Sequence, residues 1–585
     1  MKKTKLVVAI LMVLVLLVTL SSALPVLAKD GNSQNQWLEG VDGLDDPGLL
    51  PPNIMPVVVL QGSWYEMGVQ YGQQAGQWIE IRAENKWADL FSTGVTEQEV
   101  KDSLDICAGY MSEYDLDFVL EMIQGMADGA AHAGYDVKYY DVLELNHYWF
   151  HMPAHEHEHD VCPECQCSSW SAWGDTTADG SLIAGASCDN WIIEPCVAIV
   201  AFPDEGNMYL GSALAGEVVD MPCLSSAGVF IGSGGGFANS LEYDETAIDH
   251  NAAGLTVHAM DLYILSQLDN ADEAAEWMAN KQWPASENQH VADIWGNAGI
   301  VERTAAMGEH EGYIRTEGML GESDFLYRAN NYANPDVGWM FEEPKEYIDH
   351  VGWVSYAPTG GATVRSVPRM KEMWTMLEQY NGLVDVEFAK MMWRFPGDGP
   401  GTDRFPMIAN GMNVRLGFAH AYYDEASESV QGKLYLSTGP AAREVWPLGT
   451  AYYGHPPQPD QTNAFFALSL ASSPGDEYWA LRADTSIALT SAYQEFMYMT
   501  AVDTGYGILD ELYDEAVDEF YKAINLGFAA MVMPNDNAEA YLWSKCFTAF
   551  TRAQVKANQV YNHIEPPAND PMDLGLAAYN DSYWP

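Results

Sequence analysis

The chain changes character at one residue, Cys167. From Lys29 to Gln166 it reads mostly as helix, and from Cys167 onward short apolar runs separated by turn-forming clusters dominate. The stretch CSSWSAWGDTTADGSLIAGASCDNW, beginning at Cys167, reads as two strands joined by the turn GDTTADG. Such a hairpin carries Cys167 at its start and brings Asp189 back beside it. Further strand-like runs are CVAIVAF, AGVFIGSG, HVADIW, GIVERTA and KLYLSTG, with helix-like NADEAAEWMANKQW and VPRMKEMWTMLEQY between them. Two long helical patterns, starting at SIALTSAYQEF and at NAEAYLWSKCF, close the chain. No internal repeat is visible, and no linker follows residue 52. The expected fold class is α+β, one compact unit with helical additions at both ends.

The first residues, MKKTKLVVAILMVLVLLVTLSSALPVLAKD, have the form of a signal peptide. Lysines precede an apolar run from Leu6 to Leu20, and Val26-Leu27-Ala28 offers the cleavage site. That run of 15 residues falls short of the ~20 that a membrane span needs. The expected organisation is a signal peptide over 1–28, a Gly- and Pro-rich arm over 29–52, a helical segment over 53–166, and a strand-rich segment over 167–585. The last becomes helical from about residue 485. A secreted protein without stable membrane insertion follows.

Removing the leader takes away Lys2, Lys3 and Lys5, so the net charge of −56 becomes −59. A surface so acidic argues against nucleic-acid phosphates or anionic membranes as partners. In an oxidising compartment some of the eight cysteines can pair.

Several stretches carry a resemblance to a known family. QGSWYEMGVQYGQQAG, EMIQGMADGAAHAGYDVKYYDVLELN, the Cys167 hairpin, HVADIWGNAGIVERTA and RANNYANP occur in this order. In that order they resemble the acyl-coenzyme A:6-aminopenicillanic acid acyltransferase-like family, peptidase family C45 of the N-terminal nucleophile (Ntn) hydrolases, with phospholipase B-like proteins as wider relatives. The resemblance implies a four-layer αββα sandwich, Cys167 as nucleophile, and autocatalytic cleavage between Gln166 and Cys167 into two chains that stay associated. It also implies an oxyanion donor in RANNY, at Asn330 or Asn331, and a positive group in the C-terminal half, at Arg415 or Arg404. The chain departs from the usual pattern in having Gln166 before the nucleophile, and Ser187-Cys188 before the retained Asp189.

The chemistry of the residues supports such a site independently. A thiol of pKa near 8.5 needs an activating base. Once the bond before Cys167 is cut, its own α-amine, of pKa about 7.7–8.0, can serve. Asp189, brought back by the hairpin, would orient that amine; the resemblance implies that Asn330 holds the oxyanion, and no cofactor is required. The substrate expected is a small acyl amide, hydrolysed or passed to an amine. A phospholipase B-like lipid-acyl hydrolase is the alternative enzyme, and a non-catalytic extracellular metal-binding protein the alternative class. For Cys167 itself, the plain alternative is a buried or disulfide-bonded cysteine.

Just before the proposed cut, HMPAHEHEHDVCPECQC offers His155, His157, His159, Cys162 and Cys165 with soft-metal spacing. The formal HExxH within it lacks the helical periodicity that a metalloprotease needs. GSGGGF fits neither GxGxxG nor a P-loop, and no role is assigned to it.

Overall fold

A computed structural model describes residues 55–92, 94–147, 167–190, 195–233, 254–283, 287–303, 311–330, 332, 345–348, 354–357, 361–394, 413–438, 465–501, 507–533 and 535–564. The signal-peptide region, the arm and the His/Cys segment lie outside these residues. Strand β1 (Val57–Gly62) opens the described chain, followed by helices α1 (Trp64–Ser92), α2 (Glu97–Glu113), α3 (Asp117–Ala133) and α4 (Tyr139–Leu145). Strands β2 (Ser168–Gly174), β3 (Gly180–Asn190), β4 (Cys196–Pro203), β5 (Tyr209–Leu214), β6 (Asp220–Ser225) and β7 (Val229–Gly232) follow. Helices α5 (Val257–Gln267) and α6 (Ala271–Ala279) lead to β8 (Glu287–Asp293), β9 (Ala298–Arg303), β10 (Tyr313–Arg315) and β11 (Phe325–Arg328). A small hairpin, β12 (Lys345–Ile348) with β13 (Val354–Ala357), precedes α7 (Gly361–Gln379) and α8 (Val386–Arg394). The chain closes with β14 (Asn413–Asp424), β15 (Ser429–Thr438), β16 (Phe466–Ser469), α9 (Pro474–Ala501), α10 (Gly507–Ala530) and α11 (Asp536–Ile564).

The fold is α+β with two large sheets. One has eight strands in the order β1-β4-β5-β6-β7-β8-β9-β10, the other six in the order β11-β2-β3-β14-β15-β16. Between them lies one apolar cluster built from alternate residues: Leu182, Ala184 and Ala186 of β3, Ala419 and Ala421 of β14, Ala198 and Val200 of β4. Small residues let the sheets approach closely. A Cβ at Gly232 would lie 2.9 Å from the Ser169 side chain and 3.1 Å from that of Ala186. The opposite residues of the six-stranded sheet, Trp170, Ile183, Tyr327 and Phe418, pack against Met373, Leu377, Met392 and Trp393 of α7 and α8. Helices α5 and α6 pack against β6 to β10 of the other sheet. Both sheets are therefore covered, and their strands read as near-continuous apolar runs rather than as alternation.

The outer edge of β1 shows what the QGSWYEMGVQYGQQAG segment does. β1 pairs in parallel with β4 on one side. On the other, the backbone groups of Gln61 are met by the Gln70 side-chain amide (2.8 and 2.9 Å) and those of Val59 by Gln74 (2.9 and 2.8 Å). Val57 donates to Thr548 Oγ1 (3.0 Å) and accepts from Ser544 Oγ (2.7 Å) of α11. Three alternate residues of an edge strand are thus satisfied by side chains of two helices, which blocks further strand addition. The same α11 reaches the other sheet, where Ala467 donates to Gln554 Oε1 at 3.0 Å. Among the described residues the C-terminal part holds three helices rather than two, the first helical pattern being shared by α9 and α10. None of the described helices is long and apolar enough to cross a membrane.

The glycines of α1 have a packing reason. A Cβ on Gly68 or Gly72 would come within 2.2 and 2.1 Å of the Met122 and Met126 carbonyl oxygens of α3. Cβ atoms on Gly125 and Gly129 would meet those of Tyr65 and Val69 at 2.3 and 2.1 Å. Two helices crossing so closely accept no side chain at the seam. Gly72→Ala is expected to destabilise the protein by about 1–3 kcal/mol in chemical denaturation, outweighing alanine's better helix propensity. Gly109→Ala on α2, where nothing lies within 4 Å, should be neutral or stabilising by up to ~1 kcal/mol. Equal stability of the Gly72 variant and the parent would contradict this packing.

Candidate active site

The hairpin expected from the sequence is β2–β3, with Ser168 opposite Ser187. Continuing that register by one residue sets Cys167 across from Cys188 at the open end of the hairpin. Both thiols are free, and Cys167 is 3% exposed. Asp189 follows on β3, its backbone paired with Val414 of β14; its side chain lies outside the described residues.

Around Cys167 converge groups from four parts of the chain. Its backbone N–H donates to Asn330 Oδ1 at 2.9 Å, just beyond β11. Its carbonyl oxygen accepts from Arg369 Nη1 of α7 at 2.7 Å. The same Nη1 reaches Ser168 Oγ at 2.7 Å, and Nη2 reaches Asn330 Oδ1 at 2.7 Å. Two donors converging on one atom fix the orientation of the Asn330 amide: oxygen toward Cys167 N and Arg369, nitrogen the other way. Arg369 and Asn330 are fully buried, so these charge-assisted bonds form away from solvent.

The Cys167 thiol is pushed down to about 6. The Cys188 thiol, hydrogen-bonded to the Cys167 sulfur, is the largest cause, helped by the charges of Arg328 and Arg369 and opposed by burial and Asp220. Cys188 is pushed well up in return, so it stays protonated and donates. A thiolate held this way is nucleophilic at neutral pH. Alkylation of Cys167 by iodoacetamide is expected to rise with pH through a midpoint near 6, and Cys188→Ala should move that midpoint upward. A midpoint near the ordinary ~8.5 of a free cysteine would contradict the assignment.

Arg415 stands one step away. Its Nη2 contacts Cys188 Sγ at 3.5 Å and pairs with Asp220, while Nη1 bonds Glu217 Oε2 at 3.2 Å. Arg82 of α1 binds the other Glu217 oxygen at 3.1 Å and Ala215 O at 2.7 Å. Glu217, Asp220 and His258 bring ligand-type atoms within 4.8 Å of one another. Two guanidinium groups already pair with the carboxylates, and a cation there would have to displace Arg415. The cluster reads as a buried ion network supporting Cys188. Below the nucleophile, His290 of β8 lies between Ser169 Oγ (2.8 Å) and Ser171 Oγ (2.9 Å). Burial and the nearby arginines hold its imidazole well below the usual range, so it is neutral.

Of the residues singled out from the sequence, the structure brings Cys167 and Asn330 into contact and sets Arg415 behind Cys188. Gln166, Asn331, Arg404, His155, His157, His159, Cys162 and Cys165 lie outside the described residues, as does GSGGGF beyond Ser233. Sequence reasoning missed Arg369, Arg328, Cys188 and Asp220. The strand register gives a signal for Cys188, since counting back from the turn sets it opposite Cys167. Arg369 carries none: it is one cation in the helical run VPRMKEMW.

No protein-family model matches the chain. A curated uncharacterized protein of Archaeoglobus fulgidus is 31% identical over 192 residues, which is 30% of this chain and 31% of that protein. The match therefore spans less than a third of the relative's length. Among solved structures, a Caenorhabditis elegans N-acylethanolamine-hydrolyzing acid amidase ortholog aligns at TM-score 0.28 and 11% identity, over 43% of this chain and 92% of its own. A conjugated bile acid hydrolase from Clostridium perfringens aligns at 0.26 and 13%, over 44% and 89%. Penicillin V acylase from Agrobacterium tumefaciens aligns at 0.24 and 11%, over 45% and 84%. Similarity this shallow carries no argument about chemistry, which the side chains of this chain must supply.

Proposed function

We propose that the protein is an exported, self-processing cysteine Ntn hydrolase that cleaves linear acyl amides or passes the acyl group to an amine. The single observation that carries this reading is the pairing of roles at Cys167. Its sulfur is held as a thiolate-forming group, and its own nitrogen is held by Asn330. Two facing sheets with helices on their outer faces support the four-layer αββα sandwich. The N-terminal leader supports export.

In self-processing, the Cys167 sulfur attacks the Gln166 carbonyl carbon. The Gln166–Cys167 C–N bond breaks, the nitrogen takes a proton, and a thioester forms. Water then hydrolyses the thioester, freeing the Gln166 carboxylate and the thiol. The new α-amine, anchored by Asn330 Oδ1 and oriented by Asp189, serves as base in turnover. With the thiol lowered, its proton already rests on this amine when the sulfur attacks the substrate carbonyl, and the amine then gives it to the leaving amine. The amide N–H2 of Asn330, turned away from Arg369, donates to the oxyanion. Arg369, bound to the Cys167 carbonyl, keeps the nucleophile and Asn330 in register. Water, or an acceptor amine, resolves the acyl-enzyme.

The test compares acid release from a panel of N-acyl amides with that from lysophospholipids, using the purified full-length protein. Amide turnover with little lysophospholipid turnover is the expected result. The reverse preference would replace this reading with a phospholipase B-like one, and no turnover of either class would sink the enzyme assignment.

A further inference from the structure

Arg328 ends β11, two residues before Asn330, and its backbone lies opposite Ser169 of β2. It is 1% exposed. Its Nη2 donates to Gly232 O at 2.7 Å and lies 3.9 Å from Met221 Sδ. No described residue accepts from Nε or Nη1, and no described carboxylate lies within ion-pairing distance of the guanidinium. Burial pushes the buried acids Glu287 and Asp261 well above the usual carboxylate range, and the charge that acts most on Arg328 is that of the Cys167 sulfur. Asp220 is engaged by Arg415, and Arg369 is engaged by Asn330, Ser168 and the Cys167 carbonyl. Burial brings Arg328 down to about 10, which leaves it a cation at neutral pH.

A buried cation with three of its five N–H bonds unanswered by the described residues is costly to maintain. Its charge acts directly on the Cys167 sulfur. The fitting occupant is an acceptor-rich anion, and a carboxylate matches guanidinium donors best.

We propose that Arg328 forms a carboxylate-binding subsite beside Cys167, so that the substrates taken are acyl compounds bearing an anionic group. This rests on Cys167 being the nucleophile. The subsite would read the carboxylate whether it sits on the acyl or on the amine side of the scissile bond. It sorts substrates by charge within a protein whose overall charge of −56 would otherwise repel anions.

The experiment measures second-order alkylation of Cys167 by iodoacetate and by iodoacetamide, with the labelled residue identified by peptide mass mapping. Both reagents form the same S–C bond and release iodide, so any change in thiol pKa cancels in their ratio. The iodoacetate-to-iodoacetamide ratio is expected to fall about tenfold or more in Arg328→Met and to be largely kept in Arg328→Lys. On the unaltered protein, sodium acetate should slow iodoacetamide labelling, while sodium chloride at equal ionic strength should not. This second measurement decides the matter if Arg328→Met does not fold. A ratio within twofold of the parent's, or acetate no better than chloride, overturns the subsite and leaves the nucleophile assignment standing. Labelling of Cys167 no faster than that of the other cysteines overturns both.

Discussion

Cys167→Ala is expected to abolish turnover, with kcat/KM at least ~10³-fold below the parent's on any amide that the parent cleaves. The substitution removes one sulfur from a buried position at the end of a strand, where alanine fits the backbone without strain. The fold should therefore survive. Far-ultraviolet circular dichroism and the denaturation midpoint should stay close to the parent's. Cys167→Ser tests the same point differently, because a hydroxyl keeps the geometry but is far harder to deprotonate than a thiol lowered to about 6. Residual activity within tenfold of the parent's in Cys167→Ala would remove Cys167 from the chemistry.

Arg369→Met should be the most damaging change outside the nucleophile. Arg369 joins the Cys167 carbonyl, the Ser168 hydroxyl and the Asn330 amide oxygen with bonds of 2.7 Å each. Losing it removes one of the two donors that fix the Asn330 amide, which loosens the aim of its N–H2 at the oxyanion. Removal of one oxyanion donor typically lowers kcat about 10²–10³-fold, and an effect of that size is expected here, in kcat more than in KM. A purely structural role would instead lower stability and leave the kcat of the folded fraction unchanged. Arg369→Lys should recover little, because a single ammonium cannot replace two guanidinium nitrogens on three acceptors.

The hairpin and its cysteine were legible because two short strand-like runs, CSSWSAW and SLIAGAS, flank a Gly-Asp-rich turn and dictate a local structure whose ends must meet. The position of Asn330 was legible only as part of a family resemblance, since nothing in RANNY itself points to a residue 163 positions earlier. Arg369 was not legible at all. A cation on a helix reads as solvated, and what buries it is the packing of α7 on the six-stranded sheet, a tertiary event with no local signature. Arg415 was chosen for its charge. It pairs with Glu217 and Asp220 and touches Cys188 rather than the nucleophile, so its effect on catalysis passes through that thiol. The glycines of α1, each of which lowers helix propensity, are what allows α1 and α3 to touch backbone to backbone. Nothing in QGSWYEMGVQYGQQAG singles out Gln70 and Gln74. They prove to be the partners of an edge strand.

Everything proposed for the site depends on Cys167 becoming a chain terminus with a free amine. N-terminal sequencing and intact mass of the purified protein address this directly. Two chains are expected, one of them beginning Cys-Ser-Ser-Trp, with a single uncut chain from Cys167→Ala prepared in parallel. A folded parent protein that remains one chain through Gln166–Cys167 would contradict self-processing and deprive the site of the amine that carries the proton to the leaving group.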